Sequence, residues 1–188
     1  ACGGGDRLRG CIRLLRGEEA LAAIDRGGVE PLEVDEKTFG EQLTRENHTL
    51  KRSFTDPTLF SGIGNAYSDE IFHRARISPI KLTSRLTSDE ISRLYHATQD
   101  VLTEWTERLR AEAGGEFPAK VTAFHDEMAV HGRYGKPCPV CGSPVQRIRY
   151  ASNETNYCAR CQTDGKLLAD RALSRLLKQD WPKSIDEL

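Results

Sequence analysis

The 188-residue sequence lacks any long apolar run, and this absence limits the class of protein. No stretch approaches the roughly 18 apolar residues that a membrane-spanning helix needs. The first twenty residues also lack the basic start and apolar middle that are typical of a signal peptide. We therefore expect no membrane contact and a reducing, cytoplasmic compartment.

An excess of one charge is also missing. The chain carries 27 Lys and Arg against 28 Asp and Glu, which gives a net charge of -1. This balance excludes a chain that attracts nucleic acid through an overall positive field, so any such binding must come from local patches. Hydrophobic residues make up 38% of the sequence, enough for the core of one domain or of two small ones.

Cysteine is present, and four of the six cysteines form two C-x-x-C pairs. Cys138 and Cys141 are followed, after sixteen residues, by Cys158 and Cys161. Two such turns can bring four thiolates to the corners of one tetrahedron, which is the coordination of a structural zinc ion. A disulfide pair would need an oxidising compartment, and a redox C-x-x-C normally occurs once, near a βαβ pattern. The spacing favours one Zn²⁺ without an open coordination position, so the metal holds structure and does no chemistry.

The residues between the two pairs predict a β-hairpin. Side chains alternate with a period of two from Val145 to Tyr150, residues 152–154 have turn chemistry, and 155–157 can return as the second strand. Residues 131–161 carry five Lys or Arg against one acid, Glu154. A solvated hairpin face is one interpretation, and a ribbon that contacts phosphates is the other, which the cationic bias favours.

A second candidate site lies at a glycine-containing turn. The sequence predicts a short helix over 49–54 that carries Lys51, then a loop through Gly64 and a helix from Asn65, as N-cap, to about Arg76. Glycine lets a ligand approach the backbone, and a helix N-terminus behind such a turn binds anions. The alternatives are an ordinary helix–loop–helix turn and a phosphate clamp, and Lys51 favours the clamp.

Helical patterns dominate the rest of the chain, so we predict a mainly α fold class. The strongest pattern begins with a capping box at Thr87 and runs to Gly114. The other predicted helices cover residues 18–26, 35–46 and 166–178. His96, His125 and His131 have no partner at metal-ligand spacing, so we expect them to have packing or surface roles.

These motifs together resemble the formamidopyrimidine-DNA glycosylase and endonuclease VIII family. The likeness covers most of residues 25–165 and depends on the stretches 50–70 and 131–138 and on the cysteine pairs that end at Cys161. It implies a helix–two-turns–helix DNA-binding domain followed by a zinc-finger hairpin. It also implies repair of oxidised bases by base excision, with damaged double-stranded DNA as partner and a monomer in the bacterial cytoplasm, at the nucleoid. The DNA-binding residues that it implies are Lys51, Gly64, Asn65, Arg133 and Asn153.

The resemblance divides the chain into four parts. Residues 1–30 would be a remnant of an N-terminal β-sandwich whose last strand corresponds to residues 7–15. The helix–two-turns–helix domain would cover 31–128, the zinc-finger hairpin 129–165, and a C-terminal helical extension 166–188.

Two departures from the family pattern affect function. Family glycosylases attack the sugar with an N-terminal proline amine, whereas this sequence begins with Ala1-Cys2. The resemblance therefore implies no catalytic residue in this chain and no activity of the chain alone. The family's arginine at the tip of the hairpin corresponds to Asn153, which cannot form a bidentate phosphate contact.

We therefore expect the DNA-binding and zinc-finger portion of a bifunctional DNA glycosylase and abasic-site lyase. The alternative is a non-catalytic protein that uses the same modules to bind damaged DNA or structured RNA. A zinc-stabilised protein-interaction module is a third possibility.

Overall fold

Helices form the first part of the structure, and a β-hairpin follows them. The computed structural model describes residues 16–116, 125–150, 153–170 and 175–187. The helices are α1 (Glu18–Ala22), α2 (Glu36–Thr44), α3 (Leu50–Phe54), α4 (Asn65–Ala75), α5 (Ser88–Ala113) and α6 (Ala159–Thr163). The strands are β1 (Gln146–Tyr150) and β2 (Asn153–Tyr157), and single 3₁₀ turns cover Thr83–Arg85, Lys178–Asp180 and Ile185–Glu187.

Caps that are visible in the sequence begin two of the helices. The Asp35 carboxylate accepts a hydrogen bond from the Thr38 N–H at 2.8 Å, at the start of α2. At the start of α5, Thr87 and Glu90 form both bonds of the capping box. Each cap satisfies backbone N–H groups that have no partner within the helix, which explains why local sequence predicts these two ends.

The core of the helical part is a cluster of phenylalanine rings. Phe39 of α2 lies 5.0 Å from Phe60, and Phe54 of α3 lies 4.9 Å from Phe72 of α4, measured between ring centroids. All four rings are at most 1% exposed. The helix α5 covers this cluster by packing on α4 and α2. The aromatic contacts fix α4 between the other helices, and the sites described below depend on its position.

The hairpin and the C-terminal residues share a smaller core. The strands β1 and β2 are antiparallel, and β2 lies against α4. The apolar cluster joins the hairpin to the C-terminal extension through Ile148, Tyr157, Ala159, Leu167, Leu168 and Ile185. The mainly α fold class, with a zinc-finger hairpin after the helical part, is therefore confirmed. Within the ranges described above, no helix is long and apolar enough to cross a membrane.

Three predicted details differ from the structure. Gly64, which has an extended backbone, is the N-cap of α4, and Asn65 is its first residue. Tyr150 pairs with Asn153, so Asn153 lies in β2 and not in a turn. Helical backbone is found at 175–177, but residues 166–170 are not helical, since the Leu167 N–H donates to the Lys183 carbonyl at 2.9 Å. The predicted strand at 7–15 lies outside the described residues.

Candidate metal centre and nucleic-acid interface

The four cysteines of the two C-x-x-C pairs converge on one point. Their Sγ atoms all lie within 4.8 Å of one another, with 3.9 Å between Cys138 and Cys161 and 3.4 Å between Cys141 and Cys158. Four sulfurs around a tetrahedral zinc ion at a Zn–S distance of about 2.3 Å would be about 3.8 Å apart. The cysteine cluster therefore fits one zinc ion, and it leaves no ligand position for water.

Local backbone turns place these sulfurs. Gly142, at φ +75°, donates its N–H to the Cys138 carbonyl at 2.9 Å and closes the first turn. At the second turn, Cys158 precedes α6, and the Gln162 side chain accepts the Cys158 N–H at 2.8 Å. The positive φ of Gly142 suits a residue without Cβ.

Burial opposes the ionisation of two of the four thiols, an effect that a bound cation would offset. Desolvation acts to raise the pKa of Cys141, but hydrogen bonds from Ser143 lower it to about 6. Burial, with a smaller contribution from the neighbouring thiols, raises the pKa of Cys158 to about 11, and burial also raises the pKa of Cys161. Four thiolates at this separation repel one another, so a divalent cation among them is what allows all four to ionise.

His73 of α4 connects the cysteine cluster to the helical part. Its Nε2 lies 3.3 Å from the Cys138 Sγ, and the residue is 6% exposed. Burial, with smaller contributions from Arg74 and Arg76, lowers the pKa of His73 to about 4. The ring is therefore neutral at pH 7, and its Nε2–H can donate to a Cys138 thiolate as an outer-shell partner of the metal.

Two side chains one helical turn apart bind the backbone of β2. The Asn65 side-chain amide donates to the Glu154 carbonyl at 2.9 Å, and the Asp69 carboxylate accepts the Asn156 N–H at 3.0 Å. Residues i and i+4 of a helix are about 6 Å apart along the axis, and residues i and i+2 of a strand are about 6.7 Å apart. Because these two spacings are similar, one face of α4 can bind both the Glu154 carbonyl and the Asn156 N–H of β2.

Asp69 also neutralises Lys51, and neither group is free. The Lys51 Nζ donates to the Asp69 carboxylate at 2.5 Å, the Asn65 carbonyl at 2.7 Å and the Ser68 hydroxyl at 2.9 Å. Burial holds the pKa of Lys51 below its ordinary value, and the nearby Asp69 carboxylate opposes this effect. The other Asp69 oxygen lies 2.9 Å from the His131 Nδ1. All three donor positions of the ammonium group are therefore engaged.

Glu70, the next residue of α4, binds the segment that leads into the zinc finger. Its two carboxylate oxygens accept the backbone N–H groups of Ala129, Val130 and His131 at 2.7, 2.9 and 2.9 Å. Three successive N–H groups around one carboxylate form a charge-assisted contact that fixes this segment on α4.

A cleft of about 660 Å³ opens between α3, the start of α4 and the beginning of β2. It brings together four of the five predicted DNA-binding residues: Lys51, Gly64, Asn65 and Asn153. The other lining residues are Thr49, Arg52, Thr55, Ile63, Ile80 and Thr155. Arg133 does not line this cleft, and its guanidinium donates to the Asp126 carbonyl at 2.8 Å.

The cleft contains one cation that sequence reasoning did not select. Arg52 is exposed and forms no ion pair within 4.0 Å with any residue of the described ranges. The only sequence signal for it is its position next to Lys51 on α3. Among the residues that the structure describes, no side chain caps α4, so the N–H groups of its first turn, beside the cleft-lining Gly64 and Asn65, have no competing capping group. The cleft thus offers an exposed guanidinium and a helix N-terminus to an anion.

Comparisons with known proteins match two regions of the chain, the helical part and the zinc finger. Residues 28–113 match the family model described as the formamidopyrimidine-DNA glycosylase H2TH domain, and residues 135–163 match the zinc finger found in FPG and IleRS. An uncharacterized formamidopyrimidine-DNA glycosylase-like protein of Mycobacterium tuberculosis is 37% identical over 80% of this chain and 94% of its own length. The formamidopyrimidine-DNA glycosylase of Pelotomaculum thermopropionicum is 36% identical over 77% of this chain and 54% of its own length.

Solved structures give the same result for the fold. The MutM (Fpg) protein of Thermus thermophilus is similar with a TM-score of 0.64 and 35% identity, over 78% of this chain and 58% of that one. The Lactococcus lactis Fpg in complex with DNA containing an abasic site is similar with a TM-score of 0.62 and 28% identity. That similarity covers 76% of this chain and 54% of that one. The chain therefore spans little more than half the length of these glycosylases.

We predict that Cys158→Ser removes the metal. One lost thiolate opens the tetrahedral site, and because metal binding supplies much of the folding free energy of a small zinc module, the hairpin should unfold. The measurement is zinc content by elemental analysis together with circular dichroism. Cys11→Ser is the matched control, since it makes the same chemical change at a cysteine that belongs to neither C-x-x-C pair, and it should keep one zinc per chain. A Cys158→Ser protein with one zinc and an unchanged spectrum would contradict the metal site.

We predict that Asp69→Asn lowers the free energy of unfolding by about 3–5 kcal/mol, because it leaves the Lys51 ammonium buried without its counter-charge. Urea denaturation measures the effect. The control is Asp89→Asn, which removes an ion pair between Arg93 and an aspartate whose side chain is 79% exposed. That change should cost less than about 1 kcal/mol. Equal denaturation midpoints for the two variants would show that Asp69 does not stabilise the contact between α4 and the hairpin.

Proposed function

This chain belongs to the formamidopyrimidine-DNA glycosylase family, and we propose on that premise that its cleft binds the backbone of damaged double-stranded DNA. The observation that carries the proposal is the convergence of Lys51, Gly64, Asn65 and Asn153 on one cleft at the N-terminus of α4. A helix N-terminus and an exposed cation are the groups that phosphate contacts use. The near-neutral charge of the whole chain makes such a local patch necessary.

The residues of the cleft have different roles in this proposal. Gly64 has open space where a Cβ would point, so a phosphate can approach the first N–H groups of α4. Arg52 supplies an exposed guanidinium. Lys51 contributes its charge at the cleft wall and fixes the first turn of α4 through the Asn65 carbonyl. Asn153 adds one neutral amide where an arginine fork would add two donors and a charge.

The zinc finger sets the width of the cleft. Asn153 and Thr155 form one wall, and β2 is held on α4 by Asn65 and Asp69. Loss of the metal would release this wall, so zinc supports DNA binding without touching DNA. We also propose that Arg133, which lies outside the cleft, contacts DNA.

We propose that the 188 residues are the binding portion of a bifunctional DNA glycosylase and abasic-site lyase of base-excision repair, a monomer of the bacterial cytoplasm and nucleoid. By themselves they bind without cutting. The full-length glycosylases named above extend well beyond the matched region. Lys51 is a poor replacement for an N-terminal amine, because a protonated ammonium group with three acceptors has no free electron pair for attack.

A non-catalytic binder of damaged DNA or structured RNA is the second candidate. One observation favours it: the M. tuberculosis relative is matched over 94% of its own length. A family member of this size therefore exists that consists almost entirely of the matched region. Both candidates use the same cleft, and they differ in whether a nucleophile from another segment acts on the bound DNA.

We predict that the purified chain binds a duplex containing an abasic-site analogue and that Arg52→Gln weakens this binding. Removal of one phosphate-binding cation should lower affinity similarly for all sequences and reduce the slope of log Kd against log salt by about one. Fluorescence anisotropy at several salt concentrations measures both effects. Lys37→Gln is the control, because Lys37 is 82% exposed on α2, outside the cleft. An equal loss in both variants would contradict the placement of DNA in the cleft.

We also predict that borohydride traps no covalent adduct between this chain and an abasic-site duplex. Trapping requires a Schiff base, which needs an unprotonated amine next to the opened sugar. Denaturing gel electrophoresis after reduction detects the adduct, with the binding titration as proof that the DNA is bound. An adduct that persists in Lys51→Met and vanishes when the N-terminal amine is blocked would show that this chain supplies its own nucleophile.

A further inference from the structure

A second groove lies beside the cleft, on the C-terminal extension. Its volume is about 870 Å³. Its apolar walls come from Ile80 and from Leu167, Leu168, Ala169 and Trp181 of the extension. The remaining lining residues are Ser78, Lys81, Thr163, Asp164, Lys166 and Lys183. The family models matched above end at residue 163, so most of this groove lies outside the region that they describe.

The extension that forms the groove is fixed to the zinc-finger hairpin. The Leu168 N–H donates to the Tyr157 hydroxyl at 2.8 Å, and the Asp170 carboxylate accepts the Arg149 N–H at 2.9 Å. Leu167 and Leu168 are each 7% exposed in the apolar cluster behind the hairpin. The Ile185 N–H also donates to the Gly165 carbonyl at 2.8 Å. These contacts make the groove a formed surface of the folded protein.

The groove adjoins the cleft at Ile80. Ile80 lines both, and it is 38% exposed although it is a large apolar residue. A nucleic-acid strand that leaves the cleft past Ile80 therefore enters the groove without crossing the protein surface elsewhere.

The charges of the groove suit the same ligand. Lys166 and Lys183 are exposed, and within the described ranges neither forms an ion pair. Lys81 is different, because its Nζ lies 2.5 Å from the Glu90 carboxylate. Among the described residues that line the groove, Asp164 is the single carboxylate. Two unpaired lysines beside apolar walls fit a chain of phosphates with attached bases better than an uncharged peptide.

Trp181 supplies the surface for a base. It is partly buried in the groove wall, and its Nε1 is buried without a hydrogen-bond partner among the described residues. A flat aromatic wall flanked by cations is the arrangement that binds single-stranded nucleic acid by stacking, with little dependence on sequence. We propose that this groove binds an unpaired strand that flanks the duplex in the cleft, with a base against Trp181 and phosphates at Lys166 and Lys183. The inference rests on the proposed function of the cleft.

The test compares a blunt duplex containing an abasic-site analogue with the same duplex carrying a four-nucleotide single-stranded overhang, on either strand. We expect at least one overhang to tighten binding by roughly five- to a hundredfold, the range for one stacked base. It should also quench tryptophan emission, and Trp181→Phe should reduce the change, which assigns it to Trp181 and not to Trp105. Anisotropy and emission are measured on the full 188-residue chain with zinc.

A double variant, Lys166→Gln with Lys183→Gln, avoids any loss of packing because both side chains are exposed. It should remove most of the overhang's advantage and leave blunt-duplex affinity within about twofold, while the control Lys178→Gln, in the same extension but outside the groove, changes neither. Binding of the blunt duplex without any gain in affinity from either overhang would contradict strand binding in the groove and leave the proposed function intact. An equal loss of the overhang's advantage in Lys178→Gln would also contradict it. No binding of any DNA would overturn the proposed function itself.

Discussion

Two adjacent carboxylates in the middle of α4 hold the structure together. Asp69 neutralises Lys51 and receives β2, and Glu70 receives the three N–H groups that precede the zinc finger. Both side chains are at most 6% exposed, so their charges would be costly without these partners. Because their partners lie on three segments, α3, the residues 129–131 and β2, these two residues fix the helical part, the linking segment and the hairpin relative to one another.

This arrangement explains how a nearly neutral protein can present an anion-binding surface. The buried acids are satisfied internally and do not face the cleft. What faces outward at the start of α4 is the N-terminal end of the helix, with Arg52 beside it and the partly exposed Lys51 in the wall. The local potential of the cleft is therefore set by groups that the overall charge count does not reveal.

Local sequence predicts those features whose cause is local. Each of the two C-x-x-C turns, the cap at Asp35 and the capping box at Thr87 follows from residues within a few positions of one another, and the structure has them as predicted. Features set by distant partners are not predicted. Residues 166–170 have the composition of a helix, yet the N–H groups of Leu167 and Leu168 donate to the Lys183 carbonyl and the Tyr157 hydroxyl instead of to carbonyls four residues back. The sequence favours a free clamp at Lys51 because no pattern in it indicates that Asp69 lies beside this lysine.

The separation in sequence of these contacts implies an order of assembly. The bonds from Glu70 join residues 59–61 positions apart, and the bond from Asp69 to Asn156 spans 87 positions. The phenylalanine cluster, by contrast, closes within residues 39–72. Since contacts between distant residues carry the larger loop-closure entropy, α2 to α4 can form first and give the later segments a docking surface. The finger, whose bonds to α4 join residues 87 and 89 positions apart, would then dock last, and zinc held by its four cysteines would stabilise the docked state.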